Sequence, residues 1–527
     1  MTEAFDFDVA VVGYGPTGVL VSALLAQRGL SVLAVDKAAE IYPKPRALTG
    51  DHELLRILQR IGVAEPIMGG ARLHTQVEYL GGDGAPIMTI EVGPPPYPLG
   101  WPPAFHFLQP QLEAILREAA AARGVQTRLS MGLERFDRDK DGVDLVLADG
   151  TTRRARWLLA CDGAASPVRR ALGIGNEDLA FDEWWVVVDA RLKWPTPLPE
   201  HTTQYCRPSR PGSFVIGPGD LLRWELKVLP EERPDSFADE AVLRAALADF
   251  VDPDAIEIWR SAVYRFHAMV ADCWRQDRVF LLGDAAHQMP PFLGQGLCAG
   301  ARDAANLAWK LALVETGGAD AALLDSYETE RKPHVRQVVA LAKDRGLVIG
   351  ELDPAAAAAR DTEMRRKRAA GELATLRHKY IPGLKHGLIG RGPGGEPGPE
   401  AGALFPQPRL RDAAGRQGLM DDLVPAGFLV VWRGVAQPDW LDEAAGEAMR
   451  RLGATSVAID GADLSEVGAV FADWADAAKA KATIVRPDRY VYAVAENGAA
   501  LSRLLSQAAD GLEGLSSHPT APGSPRR

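Results

Sequence analysis

Val9-Ala10-Val11-Val12-Gly13-Tyr14-Gly15-Pro16-Thr17-Gly18 decides how the chain begins to fold. The short apolar run reads as a buried strand, and the stretch Val19 to Arg28 that follows reads as a helix. Gly13, Gly15 and Gly18 therefore fall where a strand turns into a helix N-terminus, the place where bare backbone amides receive a pyrophosphate. A second strand, Ser31 to Val35, ends in Asp36 and Lys37, and the carboxylate stands about where a ribose hydroxyl needs an acceptor. Glycines in this spacing also serve tight turns that bind nothing. Strand, helix, strand and acid together point to a dinucleotide.

Which dinucleotide is decided downstream. In Arg278-Val279-Phe280-Leu281-Leu282-Gly283-Asp284 a buried strand stops at a Gly-Asp pair, and Asp284 can accept a hydrogen bond from a sugar or ribityl hydroxyl. Pro290-Pro291-Phe292-Leu293-Gly294-Gln295-Gly296 follows, and its glycines, with Gly300, leave amides free to face an anionic ring edge. The stretch Ala299 to Val314 reads as a helix whose N-terminal end adds about 0.3–2 kcal/mol toward a developing negative charge. A nicotinamide needs no second site of this kind. A flavin does, because its isoalloxazine lies far from its adenosine and its reduced form carries negative charge. The competing reading is a tight strand-to-helix connection that uses glycine for geometry alone.

With these segments in hand the chain resembles the class A flavoprotein aromatic hydroxylases, the group typified by p-hydroxybenzoate hydroxylase, and within it the 3-(3-hydroxyphenyl)propionate hydroxylase branch. The resemblance rests on the glycine fingerprint, Tyr42-Pro43-Lys44-Pro45-Arg46-Ala47, Leu108-Gln109-Pro110-Gln111-Leu112-Glu113, Cys161-Asp162-Gly163, Gly283-Asp284, Asp303 to Leu311, and Arg486-Pro487-Asp488-Arg489-Tyr490. It implies FAD as cofactor and NADH or NADPH as reductant. It implies cofactor contacts for Arg46 and Gln109, and a role in FAD and NAD(P)H binding for Asp162 and Gly163. Two positions depart from the family pattern: Asp36 stands where glutamate is usual, and Cys298 where many relatives carry asparagine.

Composition is compatible. A chain of 527 residues exceeds one ordinary core and implies two or three domains. No apolar run reaches the roughly 18 residues of a membrane helix, and Met1 to Asp8 carries acids in place of a basic leader, so the expected compartment is the cytoplasm. Cys161, Cys206, Cys273 and Cys298 lack paired spacing, which argues against disulfides and zinc. The net charge of −11 disfavours nucleic acid as a partner.

The expected fold is α/β: a Rossmann-like FAD-binding domain over residues 1–350, with an antiparallel substrate sheet inserted at about 76–104 and 181–271. Trp184 to Leu192, Ser213 to Ile216, Leu222 to Leu229 and Ala262 to Phe266 read as its strands, and the alternation Arg223-Trp224-Glu225-Leu226 implies one wet face. Residues 351–400 read as a helical connection, in which Arg365-Arg366-Lys367-Arg368 is a solvated helix face diluted by Glu363 and Glu372. Residues 401–512, with helices such as Trp440 to Leu452, resemble the thioredoxin-like C-terminal domain of the phenol hydroxylase branch. They contain no cysteine, so docking or homodimer support is their expected role. Residues 513–527 read as a disordered tail.

There is no GxSxG elbow, no HExxH pair and no histidine cluster at ligand spacing, so no metal is expected, and His287 reads as a hydrogen-bonded structural histidine. The family chemistry is attack of a flavin C4a-hydroperoxide on an electron-rich ring, with the protein excluding water and helping to deprotonate a phenol. Tyr205, His267 and Tyr264 are the candidates for that proton, against a packing role for each; Arg223 and Arg265 are candidates for a substrate carboxylate, against a surface role. The expectation is an FAD-dependent monooxygenase that uses NAD(P)H and O2 to hydroxylate a phenol ortho to an existing hydroxyl. The alternatives are a flavin reductase or dehydrogenase on the same fold, and a non-catalytic binding protein of the dissociation-inhibitor type.

Overall fold

A computed structural model describes residues 5–373, 376–434, 438 and 441–514. Among them the chain divides into two compact units: residues up to Ala305 together with Lys332–Pro382, and Asn306–Arg331 together with Gly383 onward. The proposed tail from 515, and Trp440, lie outside the described residues; the helix expected from Trp440 is described as Glu443–Leu452.

The first unit is built on an eight-stranded sheet with a parallel centre. Phe7–Val12 pairs with Thr152–Ala160 on one side and Val32–Val35 on the other, and Val279–Leu281 extends the parallel order beside Thr152–Ala160. These strands are almost continuously apolar because both faces are covered. Parallel strands carry their carboxyl ends to one edge, so Gly13, Asp36, Cys161 and Leu282 all leave the sheet there. Backbone bonds fix the exits: Gly13 N donates to Val35 O at 2.8 Å, Cys161 N to Val12 O at 2.7 Å and Leu282 N to Ala160 O at 2.9 Å. Glycine patches far apart in sequence are thereby gathered into one crevice.

A second eight-stranded sheet stands beside this edge, in the order His287–Gln288, Ile256–Ala271, Asn176–Leu192, Leu222–Lys227, Gly212–Ile216, Thr202–Tyr205, Gln76–Leu80, Pro86–Glu91. Both inserted segments therefore contribute to one sheet. It is antiparallel except where Thr202–Tyr205 runs parallel to Gln76–Leu80. The expected wet face is corrected: Trp224 and Leu226 join a hydrophobic cluster with Phe214, Phe237 and Leu247, while Arg223 and Glu225 on the other face are buried too. Alternation reports the polarity of what a face meets, and here the polar face meets an internal cavity. A small third sheet, Thr49–Asp51, Ala104–His106 and Arg72–Leu73, brings Thr49 opposite His106.

The helix expected within residues 351–400 is Pro354–Ala369, and Arg366 on its exposed side is paired with Glu363 and Glu372, as a solvated face requires. The second unit is a seven-stranded mixed sheet. Leu429–Arg433 lies inside it, parallel to the central strand Thr455–Ile459 and antiparallel to Ala482–Val485. Residues 306–331, expected with the nucleotide-binding part, group here because Trp309 and Leu323 pack into the cluster of Phe428, Trp432, Leu501 and Leu505. Within that unit Glu330 is buried among Arg486, Lys310 and Asn306. Burial pushes its pKa up, but the two cations pull it down to about 2.

Candidate active site

One cavity of about 550 Å³ runs from the glycine loop to the second sheet, and its walls belong wholly to the first unit. At the near end it is walled by Gly15, Pro16, Thr17, Cys161, Gly163, Ala164, Asp284 and Pro291 to Gly296. Glycine is required here for two distinct reasons. Gly13 has φ +95°, and a Cβ at Gly18 would overlap the Gly13 carbonyl oxygen, so the turn closes only without side chains. Gly15 and Gly163 have open space where a Cβ would stand, beside the cavity, which is what backbone receiving a pyrophosphate needs, and Gly163 at φ +82° also needs glycine for its conformation.

The near end also presents charges that the protein leaves unused. Asp284 faces the cavity and makes no hydrogen bond among the described residues; burial by the surrounding walls pushes its pKa up, against the pull of His287 and Arg46. Arg46 is exposed on the rim, over the Tyr42 ring at 5.9 Å. An unpaired acceptor, a free cation and bare glycine backbone fit FAD: Asp284 for a ribityl or ribose hydroxyl, Arg46 and the Gly15 region for the pyrophosphate.

Other predicted residues build the frame. Gln109 accepts from Ala47 N at 2.8 Å and donates to Glu113 at 2.7 Å, which fixes the loop carrying Arg46. Asp36 accepts from Tyr14 N at 2.6 Å and Ala38 N at 2.8 Å, so its carboxylate closes the glycine turn; neither it nor Lys37 walls the cavity. Asp162 likewise stands behind the wall. One oxygen accepts from Val168 N at 3.0 Å, capping the Pro167–Ala171 helix, and the other is buried without a partner. Gly283 has φ +59°, and Thr17 fills the space beside it. His287 is structural as expected: its Nε2 lies 2.7 Å from Asp303 Oδ2, which also accepts from Gly283 N at 3.0 Å. Gln295 accepts from Arg302 at 2.8 Å, and Arg302 is held in turn by Asp51 and Glu53, an ion cluster that anchors the Pro291 to Gly296 loop.

At the far end the walls are His74, Val77, Tyr79, Ile90, His106, Thr202, Gln204, Ser213, Val215, Glu225 and Arg377. The rings of His74 and His106 stack with centroids 4.4 Å apart. Burial, followed by the charge of Arg377, pushes the His106 imidazole down to about 3; burial and the facing His106 hold His74 well below the usual range. Both are neutral at pH 7. His74 Nε2 lies 3.1 Å from the Gln76 carbonyl, which can only accept, so Nε2 carries the proton and Nδ1 keeps its lone pair. That Nδ1 is buried without a protein partner. His106 Nδ1 lies 3.2 Å from Thr49 Oγ1. A neutral imidazole with a free lone pair can accept a hydrogen bond from a phenol hydroxyl, while the burial and Arg377 charge that keep it neutral oppose its taking the proton outright.

Of the three residues expected to handle that proton, Tyr264 and His267 wall the cavity and Tyr205 does not. On Thr202–Tyr205 the period of two sends Thr202 and Gln204 inward, and Tyr205 packs edge-on against Phe250 at 5.0 Å on the opposite face. The Tyr264 hydroxyl is engaged by Arg260, and His267 sits nearer solvent, 3.6 Å from Asp182. Arg223 walls the cavity but is committed: it bonds Asp189 at 2.7 and 3.0 Å and the carbonyls of Pro45 and Arg46, both at 2.7 Å. Arg265 is half exposed and pairs with Asp182 at 2.6 Å. His74, His106 and Arg377 were not expected. The available signal was slight, a histidine placed just before Gln76–Leu80 and another just before Phe107-Leu108-Gln109.

The comparisons agree with this geometry. A family profile described as an FAD binding domain matches residues 6–342, and a second, described as the HcaD C-terminal domain, matches 402–510. A probable NADH-specific resorcinol 4-hydroxylase of Rhodococcus jostii (strain RHA1) is 34% identical over 98% of this chain and 97% of its own length. A 3-(3-hydroxy-phenyl)propionate/3-hydroxycinnamic acid hydroxylase of Comamonas testosteroni is 32% identical, covering 93% of this chain and 94% of that protein. Among solved structures, aklavinone-11 hydroxylase, crystallised with FAD and aklavinone, superposes with a TM-score of 0.78 at 25% identity, over 97% of this chain and all of that one.

Proposed function

The chain belongs to the FAD-dependent aromatic hydroxylases, and we propose that it hydroxylates a phenolic ring ortho to an existing hydroxyl, with NADH or NADPH as reductant and O2 as oxygen donor. The observation that carries this reading is the single cavity, which joins a dinucleotide crevice to a pocket holding two neutral, stacked imidazoles. The Rhodococcus relative is named as NADH-specific, which favours NADH here. The bound flavin supplies the reduction of O2 and the transfer of one oxygen atom.

The chain's own residues supply the rest. Asp284, Arg46 and the Gly15 loop hold the cofactor, while Val77, Tyr79, Ile90 and Val215 enclose the ring and exclude water. His74 Nδ1 accepts a hydrogen bond from the phenol hydroxyl and orients it, and the polarised oxygen feeds electron density to the ortho carbon. Tyr264 and His267 wall the same cavity, and His267 stands nearer solvent, where the phenol proton can leave. For the second unit we propose a thioredoxin-like architecture without redox function, since no cysteine lies beyond Cys298.

The test is a screen of phenols, resorcinol and 3-(3-hydroxyphenyl)propionate among them, for anaerobic flavin reduction by NADH in a stopped-flow instrument. A phenol that is turned over is expected to accelerate reduction at least about tenfold, roughly 1.4 kcal/mol in barrier. Equal rates with and without every such phenol would contradict substrate control. A colourless protein that binds no flavin would contradict the reading altogether.

A further inference from the structure

Among the described residues two cations on the cavity wall lack an anionic partner, Arg46 on the near rim, given above to the pyrophosphate, and one at the far end. Arg223 is consumed by Asp189 and two carbonyls, Arg265 by Asp182, and Arg46 stands on the rim beside Tyr42. Arg377, from the short 3-10 turn Arg377–Tyr380, enters beside the histidine pair. Its Nη2 donates to the Leu293 carbonyl at 2.8 Å, and its Nε is buried with no hydrogen-bond partner. Asp51, the carboxylate whose field reaches it, is itself bonded to Arg302.

The two carboxyl groups on the same wall do not neutralise it. Burial and the like charge of Asp189 push the Glu225 pKa up against the pull of Arg223, and Asp284 stands at the near end under the charges of His287 and Arg46. The imidazoles beside Arg377 are neutral, and its own charge helps to keep them so. A guanidinium carries five N–H donors in a planar fork, and a walled-in one lacking an anion leaves much of its desolvation uncompensated. The missing partner is an anion that enters the cavity. The apolar walls of Val77, Tyr79 and Ile90 nearby imply that this anion is borne on an aromatic ring.

Building on the hydroxylase reading, we infer that Arg377 determines specificity at the deep end of the pocket by binding an anionic oxygen of the aromatic substrate. A ring carboxylate and a phenolate share that chemistry. In the first case Arg377 anchors a side chain away from the reacting carbon; in the second it stabilises the phenolate oxygen beside the neutral imidazoles, the proton leaving to solvent.

The experiment uses oxidised holoenzyme and reads ligand affinity from the change in flavin absorbance, so it needs no turnover. The probes are 3-(3-hydroxyphenyl)propionate, its methyl ester, resorcinol and 1,3-dimethoxybenzene, against the wild type, Arg377→Gln and Arg377→Lys. Arg377→Gln is expected to weaken the ligands that present an anionic oxygen by at least about tenfold and to leave 1,3-dimethoxybenzene within about twofold. Arg377→Lys, which keeps the charge but not the fork, should recover part of the loss. If the anion is a carboxylate, only the propionate suffers. If it is a phenolate, resorcinol and the ester suffer as well, and the pH at which bound resorcinol ionises rises by about one unit or more.

Affinities in Arg377→Gln that all stay within about twofold of wild type would overturn the inference while leaving the hydroxylase reading intact. Should Arg377→Gln fail to retain FAD, the wild type alone decides. The propionate must bind at least about tenfold tighter than its ester, or resorcinol tighter than its dimethyl ether, and equality within both pairs overturns the inference. A wild-type flavin spectrum that none of the four perturbs counts against the hydroxylase reading itself.

Discussion

The two ends of the cavity are specified in different ways. At the near end the information is in the backbone: Gly13, Gly15 and Gly18 lie within six residues of one another, and the strands on either side dictate where their amides point. At the far end it is in side chains delivered separately, His74 and His106 beside the small sheet, Gln204 and Ser213 from the large one, and Arg377 from a turn near the end of the unit. A nucleotide common to many proteins is served by a local rule, whereas a particular substrate is served by an assembly. Substitutions at the near end should therefore cost cofactor, and substitutions at the far end should cost selectivity or proton handling with FAD still bound.

The largest effect is expected for Gly18→Ala. The new Cβ would overlap the Gly13 carbonyl, and backbone cannot retreat as a flexible side chain can. A destabilisation of about 3 kcal/mol concentrated at the glycine turn should leave the purified protein without flavin, read as absorbance after gel filtration. Full flavin content in this variant would break the distinction between the two ends.

Asp284→Ala comes next. It removes an acceptor that faces the cavity with no protein partner, and the loss of one charge-assisted hydrogen bond, about 1.5–3 kcal/mol, should raise the FAD dissociation constant roughly 10- to 150-fold. Titration of apoprotein with FAD checks it. Unchanged affinity would remove Asp284 from the cofactor site.

The far end should announce itself through pH. In the unfolded chain His106 takes a proton as pH falls below about 6.5, while in the folded chain it stays neutral until about 3, because burial and Arg377 oppose the charge. The unfolded state therefore binds more protons across that window, and stability falls as pH drops from about 6.5 toward 3, by up to about 1.4 kcal/mol per pH unit from this group. His106→Gln should make the acid limb of a urea-denaturation series shallower between pH 6.5 and 5, with FAD retained at pH 7. A limb of unchanged slope would show that His106 is charged when folded.

The smallest effect sharpens the boundary. Tyr205→Phe should leave turnover within about twofold and stability within about 0.5 kcal/mol, because its ring packs against Phe250 behind the wall. A large fall in kcat would return Tyr205 to the proton path.

What the sequence made legible follows the same division. The nucleotide crevice could be read because a turn that excludes Cβ atoms restricts residue type locally, and the place of Asp284 on the cavity wall could be read because it ends a recognisable strand. The second sheet could be read from alternation in Arg223-Trp224-Glu225-Leu226, but not that its polar side faces a cavity, since period two is silent about what lies opposite. For the same reason the sequence left Tyr205 open between a proton-handling and a packing role, and its ring packs against Phe250. The His74 and His106 rings meet only because separate segments converge on them, and nothing near either histidine encodes the other. Residues 306–331 fall inside the stretch that matches an FAD binding domain yet pack with the second unit, because helical periodicity does not say which core Trp309 enters.

The most direct measurement is turnover under 18O2 with NADH and a phenol that stimulates flavin reduction. The account predicts one labelled oxygen atom in an ortho-dihydroxylated product, formed in proportion to the NADH consumed. Oxidised or reduced product without the label would identify a dehydrogenase or reductase on this fold, and would contradict the hydroxylase.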